Sequence, residues 1–346
     1  MQVLITGGAG FLGINLVRYL LAKGIESIVV LDIADFDYAD VKDKVIFVKG
    51  DIRHGATISQ CLPDHAIVVN AAAALPLYQP EDIFSTEVEG LKNLLEESLK
   101  KNADRVIHIS STAVYGVPDH HPILETDRLD GIGPYGKAKV LAEGICRDYR
   151  QQGLCIPILR PKSFVGPERL GVFAILYDWA LDGRNFPLIG KGENRYQLLD
   201  VEDLCEAIWL CMVNDKSIVN DTFNIAAKQF RTMREDFQAV IDAAGHGRKV
   251  VCFLAWPATF LLSMLAFMNL SPLYPWIFET ASKDSFVSIS KAENILGYSP
   301  RYSNRDALIR NFTWYREHRD QFKHRSGITH RVPWNQGVLK ILKLFF

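Results

Sequence analysis

Short runs of consecutive apolar residues alternate with longer stretches of helical periodicity through the first half of the chain. Residues 3–6, 27–32, 45–49, 66–71 and 105–110 read as buried strands, and 11–23 and 80–101 as helices. Strands apolar on both faces and separated by helices predict a parallel sheet covered on both sides, a Rossmann-type doubly wound α/β fold. From about Gly166 the alternation loosens into proline-bounded segments, with a helix predicted at 173–182 and another at 201–214 that returns to the sheet. The predicted organisation is a first domain over 1–165, to which 197–226 returns, and a smaller, partly interleaved C-terminal domain from 166–196 and 227–320. A tail, 321–346, follows. No internal repeat or low-complexity linker appears, so the halves are expected to pack rather than to be tethered.

Ligands of such sheets bind outside the carboxyl ends of the strands, where Gly7, Asp32, Asp51, Asn70 and Ser111 all fall. The first strand runs into Gly7-Gly8-Ala9-Gly10-Phe11-Leu12-Gly13. Gly7 permits a tight turn, Gly10 lets backbone approach a pyrophosphate, and Gly13 allows close helix–strand packing. The helix opening at Phe11 and Leu12 points N–H groups at the anion. Asp32 closes the second strand, where a carboxylate accepts hydrogen bonds from both ribose hydroxyls and repels a 2′-phosphate, which favours NAD over NADP. Asp51 and Ile52 end the third strand, either beside the adenine or as turn residues. Asn70, Ala71 and Ala72 end the fourth strand at the same crevice and complete the expected cofactor contacts with Pro161.

Tyr135 and Lys139 lie four apart on one helix face, which puts an ammonium beside a phenol. An adjacent lysine and a positive nicotinamide both favour the phenolate, tuning a group that titrates near ~10 toward a base usable at neutral pH. Ser111, at the mouth of the preceding strand, is placed to hydrogen-bond the reacting oxygen, and Thr112 to assist.

Composition narrows the classes. Among 346 residues, Lys plus Arg number 39 and Asp plus Glu 40, so no global field gathers nucleic acid, and no nucleic-acid partner is expected. The six cysteines form no Cys-x-x-Cys pair and have no histidines at zinc spacing, which reads as reduced thiols and no metal site. No charged leader precedes the first strand, so a cytoplasmic protein is expected.

These residues resemble an extended short-chain dehydrogenase/reductase of the NAD-dependent epimerase/dehydratase group. The resemblance covers roughly residues 1–320. It is carried by Gly7/Gly10/Gly13, Ser110-Ser111-Thr112-Ala113-Val114-Tyr115-Gly116, Tyr135/Lys139, Arg160-Pro161 with Gly166-Pro167, and Lys291-Ala292 with Leu296-Gly297-Tyr298. It implies NAD as cofactor, Ser111, Tyr135 and Lys139 as a catalytic triad, Lys139 also on the nicotinamide ribose, and a homodimer through helices 80–101 and 134–152. The Asp-Glu pair that sugar 4,6-dehydratases use for elimination would fall on Thr112 and Ala113, which disfavours dehydration.

The implied activity is then epimerisation of a sugar, at C4, or oxidation of an apolar alcohol as in 3-beta-hydroxysteroid dehydrogenases; an NAD-sensing protein without catalysis would be expected to lack Tyr135 or Lys139. Residues 190–197 resemble the sugar-nucleotide branch, yet Tyr196 stands where an arginine grips the nucleotide, with Arg195 one residue early. A second arginine expected around Phe278 is missing, although Lys283 lies nearby. From Val250 to Phe278 there is no Asp, Glu, Lys, Arg or His in 29 residues, but Pro257 and Asn269 leave only 11 between them, short of the ~20 that span a bilayer. This segment is either a buried helix or an apolar lip for a lipid or a membrane. The tail carries Lys323, Arg325, Arg331, Lys340 and Lys343 with Val338, Ile341, Leu342 and Phe345 on one helical stripe behind Trp334. It suits an anionic membrane surface, or docks on the protein itself. Together these features resemble epimerases of polyprenyl-diphosphate-linked sugars at the inner membrane face, so a nucleotide- or lipid-linked sugar is the expected substrate.

Overall fold

In the computed structural model, residues 1–256, 259–260, 263–264, 282–322 and 343 are described. Six strands, β1 (Gln2–Thr6), β2 (Ser27–Asp32), β3 (Ile46–Lys49), β4 (Ile67–Asn70), β5 (Arg105–Ile109) and β6 (Ile158–Pro161), join Thr222–Ile225 in one seven-stranded sheet. The order is Thr222–Ile225, β6, β5, β4, β1, β2, β3, and every neighbouring pair is parallel. The progression reverses between β1 and β4, where Thr6 is in register with Asn70. This is the topological switch point at which doubly wound sheets bind ligands.

The periodicity places the helices well and misses one irregularity. Helix α1 (Phe11–Ala22) packs Ile14, Leu16, Val17 and Leu20 inward, α2 is Gly55–Cys61, and α5 (Gly133–Gln151) starts with Pro134 in its first turn, where a missing N–H costs nothing. The single helix expected over 80–101 is three pieces: α3 (Pro80–Phe84), a π-helical turn (Ser85–Gly90) and α4 (Leu91–Lys100). A π turn inserts extra backbone into a helix and rotates the residues within it, a device common at functional sites.

The chain divides into two compact units: residues 1–162, 201–226 and 287–300, and residues 163–200, 227–286 and 301–346. The sequence reading assigned all of 227–320 to the second domain, and 287–300 corrects it. Val287 pairs with Ile123, Lys291 ion-pairs with Asp221, and the Tyr298 hydroxyl donates to the Ala226 carbonyl, all within the first unit. The anticipated return of helix Val201–Val213 has a polar anchor, since the Arg105 guanidinium donates to the Cys211 and Asn214 carbonyls at 2.8 Å. These are carbonyls that a helix end leaves without internal partners.

In the second unit, helices Phe173–Leu181, Met233–Ala243 and Asn304–His318 surround wholly buried Tyr177, Trp179 and Phe312. Each large side chain taken from water contributes about 1.5–3 kcal/mol. Thr232 with Glu235 and Ser303 with Asp306 form capping boxes that set two of these helix starts. Of the tail, residues 321, 322 and 343 lie among the described residues. Lys343 is buried on the body of this unit, its Nζ 2.5 Å from Asp178 and 2.6 Å from Asp182. No helix of the described residues is long and apolar enough to cross a membrane.

A polar chain runs through the sheet: the Thr6 hydroxyl donates to Asn70 Oδ1 at 2.7 Å, and Asn70 Nδ2 meets His108 Nδ1 at 3.2 Å. Burial, with the positive charges of Lys139 and Arg150, holds the pKa of His108 well below its ordinary 6.5. The unfolded chain binds this proton more readily than the folded one, so stability falls as pH drops below 6.5, at about 1.4 kcal/mol per pH unit from this group. Denaturant titrations at successive pH values should show that slope, and His108→Gln should flatten it.

Candidate active site

The first unit gathers the site at the carboxyl ends of β1, β2, β4, β5 and β6. The turn after β1 is built for close approach. Gly7 has φ +69°, and a Cβ there would lie 2.6 Å from Ala72 Cα; one on Gly13 would lie 2.3 Å from Gly8 Cα. Side chains at either position would fill the cradle. Gly10 is the N-cap of α1, and no side chain caps that end, which leaves its N–H groups available to an anion. Asp32 ends β2 as expected. Its Oδ2 accepts the Ala9 N–H and its Oδ1 the Ala34 N–H, both at 2.8 Å, fixing the carboxylate beside the glycine turn. This arrangement fits a dinucleotide with an unmodified ribose.

Other expected cofactor residues are placed in different ways. Asp51 is engaged by its neighbour Arg53, through the backbone N–H at 2.9 Å and the guanidinium at 2.6 Å, and its pKa is lowered because those contacts outweigh its burial. The Ile52 side chain is buried against Gly90 rather than turned outward. The side chain of Asn70 is spent inside the sheet on Thr6 and His108, so only its backbone and that of Ala71 and Ala72 border the turn, with Ala72 directly over Gly7. Phe11 and Leu12 are buried in α1, and Pro161 ends β6, where its carbonyl faces the Thr112 hydroxyl at 3.4 Å.

The two serines after β5 point to different tasks. The Ser110 hydroxyl donates to Glu143 at 2.6 Å within a buried network that includes Arg160 and Tyr115. Ser111 is half-buried, caps the short turn Thr112–Tyr115 and accepts from the Ala113 N–H at 3.1 Å, so its hydroxyl proton can be given to a ligand. On α5, Tyr135 is half-buried and Lys139 is 1% exposed, its Nζ 5.8 Å from the phenol ring centre. Lys139 Nζ donates to the Ile109 carbonyl at 2.9 Å and to Glu87 Oε2 at 2.8 Å. Burial pulls the lysine pKa down, but Glu87, Tyr135 and Glu143 outweigh it, and the net shift is upward. Burial pushes the Glu87 carboxyl up, against the downward pull of Lys139 at 2.8 Å.

Two residues here escaped the sequence reading. Glu87 interrupts the apolar stripe Ile83, Leu91, Leu94, and an acid on the buried face of a helix is a signal that could have found it. Lys162, directly after Pro161, is buried, and burial lowers its amine to about 7. In the second unit Tyr196 shares a hydrogen bond with Ser163 at 2.9 Å, whereas exposed Arg195 lies between the Phe230 and Phe286 rings, 4.6 and 5.0 Å from their centres. Lys283 is exposed, and the position of Phe278 lies outside the described residues. No group of His, Cys, Asp and Glu among the described residues is arranged to hold a metal ion.

The profile of the NAD dependent epimerase/dehydratase family matches residues 3–226. An uncharacterized protein of Sinorhizobium fredii, y4nG, is 33% identical over 342 residues, covering 98% of this chain and 85% of that protein. The structure of a UDP-glucose 4-epimerase from Thermotoga maritima with UDP-glucose shares the fold at TM-score 0.76 and 24% identity, over 92% of this chain and 99% of that one. DesIV, a dTDP-glucose 4,6-dehydratase of Streptomyces venezuelae with NAD and TYD bound, matches at TM-score 0.75 and 26% identity, over 93% and 99%. The chain belongs to the NAD-dependent epimerase/dehydratase family, and NAD is its cofactor.

Removing the charge of Asp32 tests the ribose contact. Asp32→Asn should weaken NAD binding about tenfold, worth one pKa-unit-sized interaction, and narrow the preference over NADP. Titration of both cofactors by calorimetry measures this; an unchanged ratio of affinities would remove Asp32 from the specificity argument.

Proposed function

We propose that the protein is an NAD-dependent sugar epimerase that inverts C4 of a nucleotide- or polyprenyl-diphosphate-linked hexose through a transient keto sugar. The observation that carries this reading is the turn after Ser111. A dehydratase needs an acid there to protonate the departing hydroxyl, and the chain offers Thr112, whose hydroxyl faces the Pro161 carbonyl, and Ala113, which has no proton to give. The groups for reversible oxidation are retained without those for elimination. Bound NAD supplies a hydride acceptor that also returns the hydride. Tyr135 takes the hydroxyl proton and gives it back, Lys139 stabilises the phenolate, and Ser111 donates to the oxygen as it becomes a carbonyl, with Thr112 beside it. Inversion then requires only that the keto sugar turn its other face before hydride return.

Lipid-linked substrates are favoured by the segment after Val250–Phe253. Leu254 and Trp256 are 74% and 77% exposed, Phe260 and Met264 are exposed as well, and Trp256 stacks on Phe260 with ring centres 6.1 Å apart. Exposed apolar and aromatic groups in a segment without charge suit the interfacial layer of a membrane. The same surface would serve the alternative, a hydroxysteroid-like dehydrogenase of an apolar alcohol.

Incubation with NAD and UDP-hexoses, polyprenyl-diphosphate N-acetylhexosamine or sterols should give an epimerised sugar without accumulation of NADH, and stoichiometric NADH with a ketone product would make the protein a dehydrogenase. Tyr135→Phe should lower turnover by ~10²–10⁴, whereas full turnover in that variant would exclude the assigned base. Flotation with anionic vesicles should carry the wild type, and Trp256→Glu with Phe260→Glu should release it; equal partitioning of the two would locate any membrane contact elsewhere.

A further inference from the structure

The π turn Ser85–Gly90 carries one acid into the protein beside α5. Glu87 is 2% exposed, its Oε2 lies 2.8 Å from Lys139 Nζ, and its Oε1 has no hydrogen-bond partner. The Ala74 N–H, from the loop that leaves β4 beside the glycine turn, also acts on this carboxylate. A buried carboxylate that meets an ammonium with one oxygen and leaves the other unmet is poorly explained by packing alone. An apolar side chain of similar size would avoid the desolvation cost, unless the ammonium must be kept. Lys139 has few other means of staying charged. Its second contact is the neutral Ile109 carbonyl, Glu143 on α5 is already held by Arg160 and Ser110, His108 on β5 is neutral, and Cys146 on α5 is a thiol whose pKa burial raises to about 12.

We propose that Glu87 is a positioning residue: its carboxylate is the counter-charge that keeps the Lys139 ammonium charged and aimed, and Lys139 in turn keeps Tyr135 able to take and return a proton. The proposal rests on the reading of Tyr135 and Lys139 as the acid–base pair. The π turn is then the device that turns this acid inward from the helix between β4 and β5. Without Glu87 the largest influence on Lys139 is burial, which favours the neutral amine, and a neutral Lys139 withdraws the positive charge beside the phenol.

The direction is therefore fixed. In Glu87→Gln, which keeps the shape and removes the charge, the Tyr135 titration should move up by about one to two pH units, the size of one unit charge at ~6 Å in a protein interior. Ultraviolet titration of the phenolate, as the difference between each protein and its Tyr135→Phe counterpart, reads this without substrate. The acid limb of the turnover profile should follow it, so that lost activity returns at higher pH. A titration that stays in place or moves down in folded Glu87→Gln would overturn the proposal, since a packing role lowers thermal stability without moving the phenol. If that variant does not fold, Glu87→Asp carries the test: its shorter reach should give a smaller upward move, and no move would overturn the proposal equally. Full turnover in Tyr135→Phe would instead overturn the catalytic reading while leaving the coupling of Glu87 to Tyr135 measurable.

Discussion

A charged amine shut away from water has to be answered by charge, and the arrangement around Lys139 follows from that constraint. Burial alone would lower the pKa of its Nζ. Glu87 at 2.8 Å and the Ile109 carbonyl at 2.9 Å provide the answer, and each comes from a different element. β5 must end at Ile109, α5 must run beside it, and the helix between β4 and β5 must open into a π turn for all three to meet. The Lys139 side chain therefore joins α5, the end of β5 and the π turn between β4 and β5. On the proposed reading, preorganisation of this kind readies a phenol four residues away for acid–base work, because no reorganisation is left for the moment of reaction.

The parallel sheet supplies the scaffold. With both faces covered, its strands are nearly all apolar, and the polar groups they do bury are paired within the sheet, as in the Thr6–Asn70–His108 chain, or anchor a neighbouring helix, as Arg105 does. Chemistry is thereby confined to the loops at the carboxyl ends. The glycine turn, Asp32 and Ser111 are each the first partly exposed residues past the buried run of their strand. The reversal of strand order between β1 and β4 leaves room there for a dinucleotide.

The second unit departs from the pattern that the resemblance implies. Where a nucleotide-gripping arginine was expected, Tyr196 turns inward to Ser163, and Arg195 is held between two phenylalanines. Beyond Val250–Phe253, Leu254, Trp256, Phe260 and Met264 are exposed. One fold can serve different substrates by changing side chains on a retained frame.

Much of this was legible in the chain. Apolar runs separated by helical periodicity dictate a covered parallel sheet, because strands without a polar face have no other stable arrangement. Gly7, Gly10 and Gly13 beside Asp32, and the four-residue spacing of Tyr135 and Lys139, are local patterns whose geometry is set by one turn or one helix. What the sequence could not supply depends on residues far apart in it. Glu87 acquires meaning only opposite Lys139, 52 positions on, through a π turn with no local signature. Asn70 stands at a strand end that points to the crevice, yet its side chain is claimed by Thr6 and His108. Residues 287–300 return to the first unit by pairing with Ile123 and contacting Asp221 and Ala226. Local periodicity and short motifs record what one element must do by itself; which buried charge answers which, and where a strand-end side chain turns, are settled by desolvation in the assembled core.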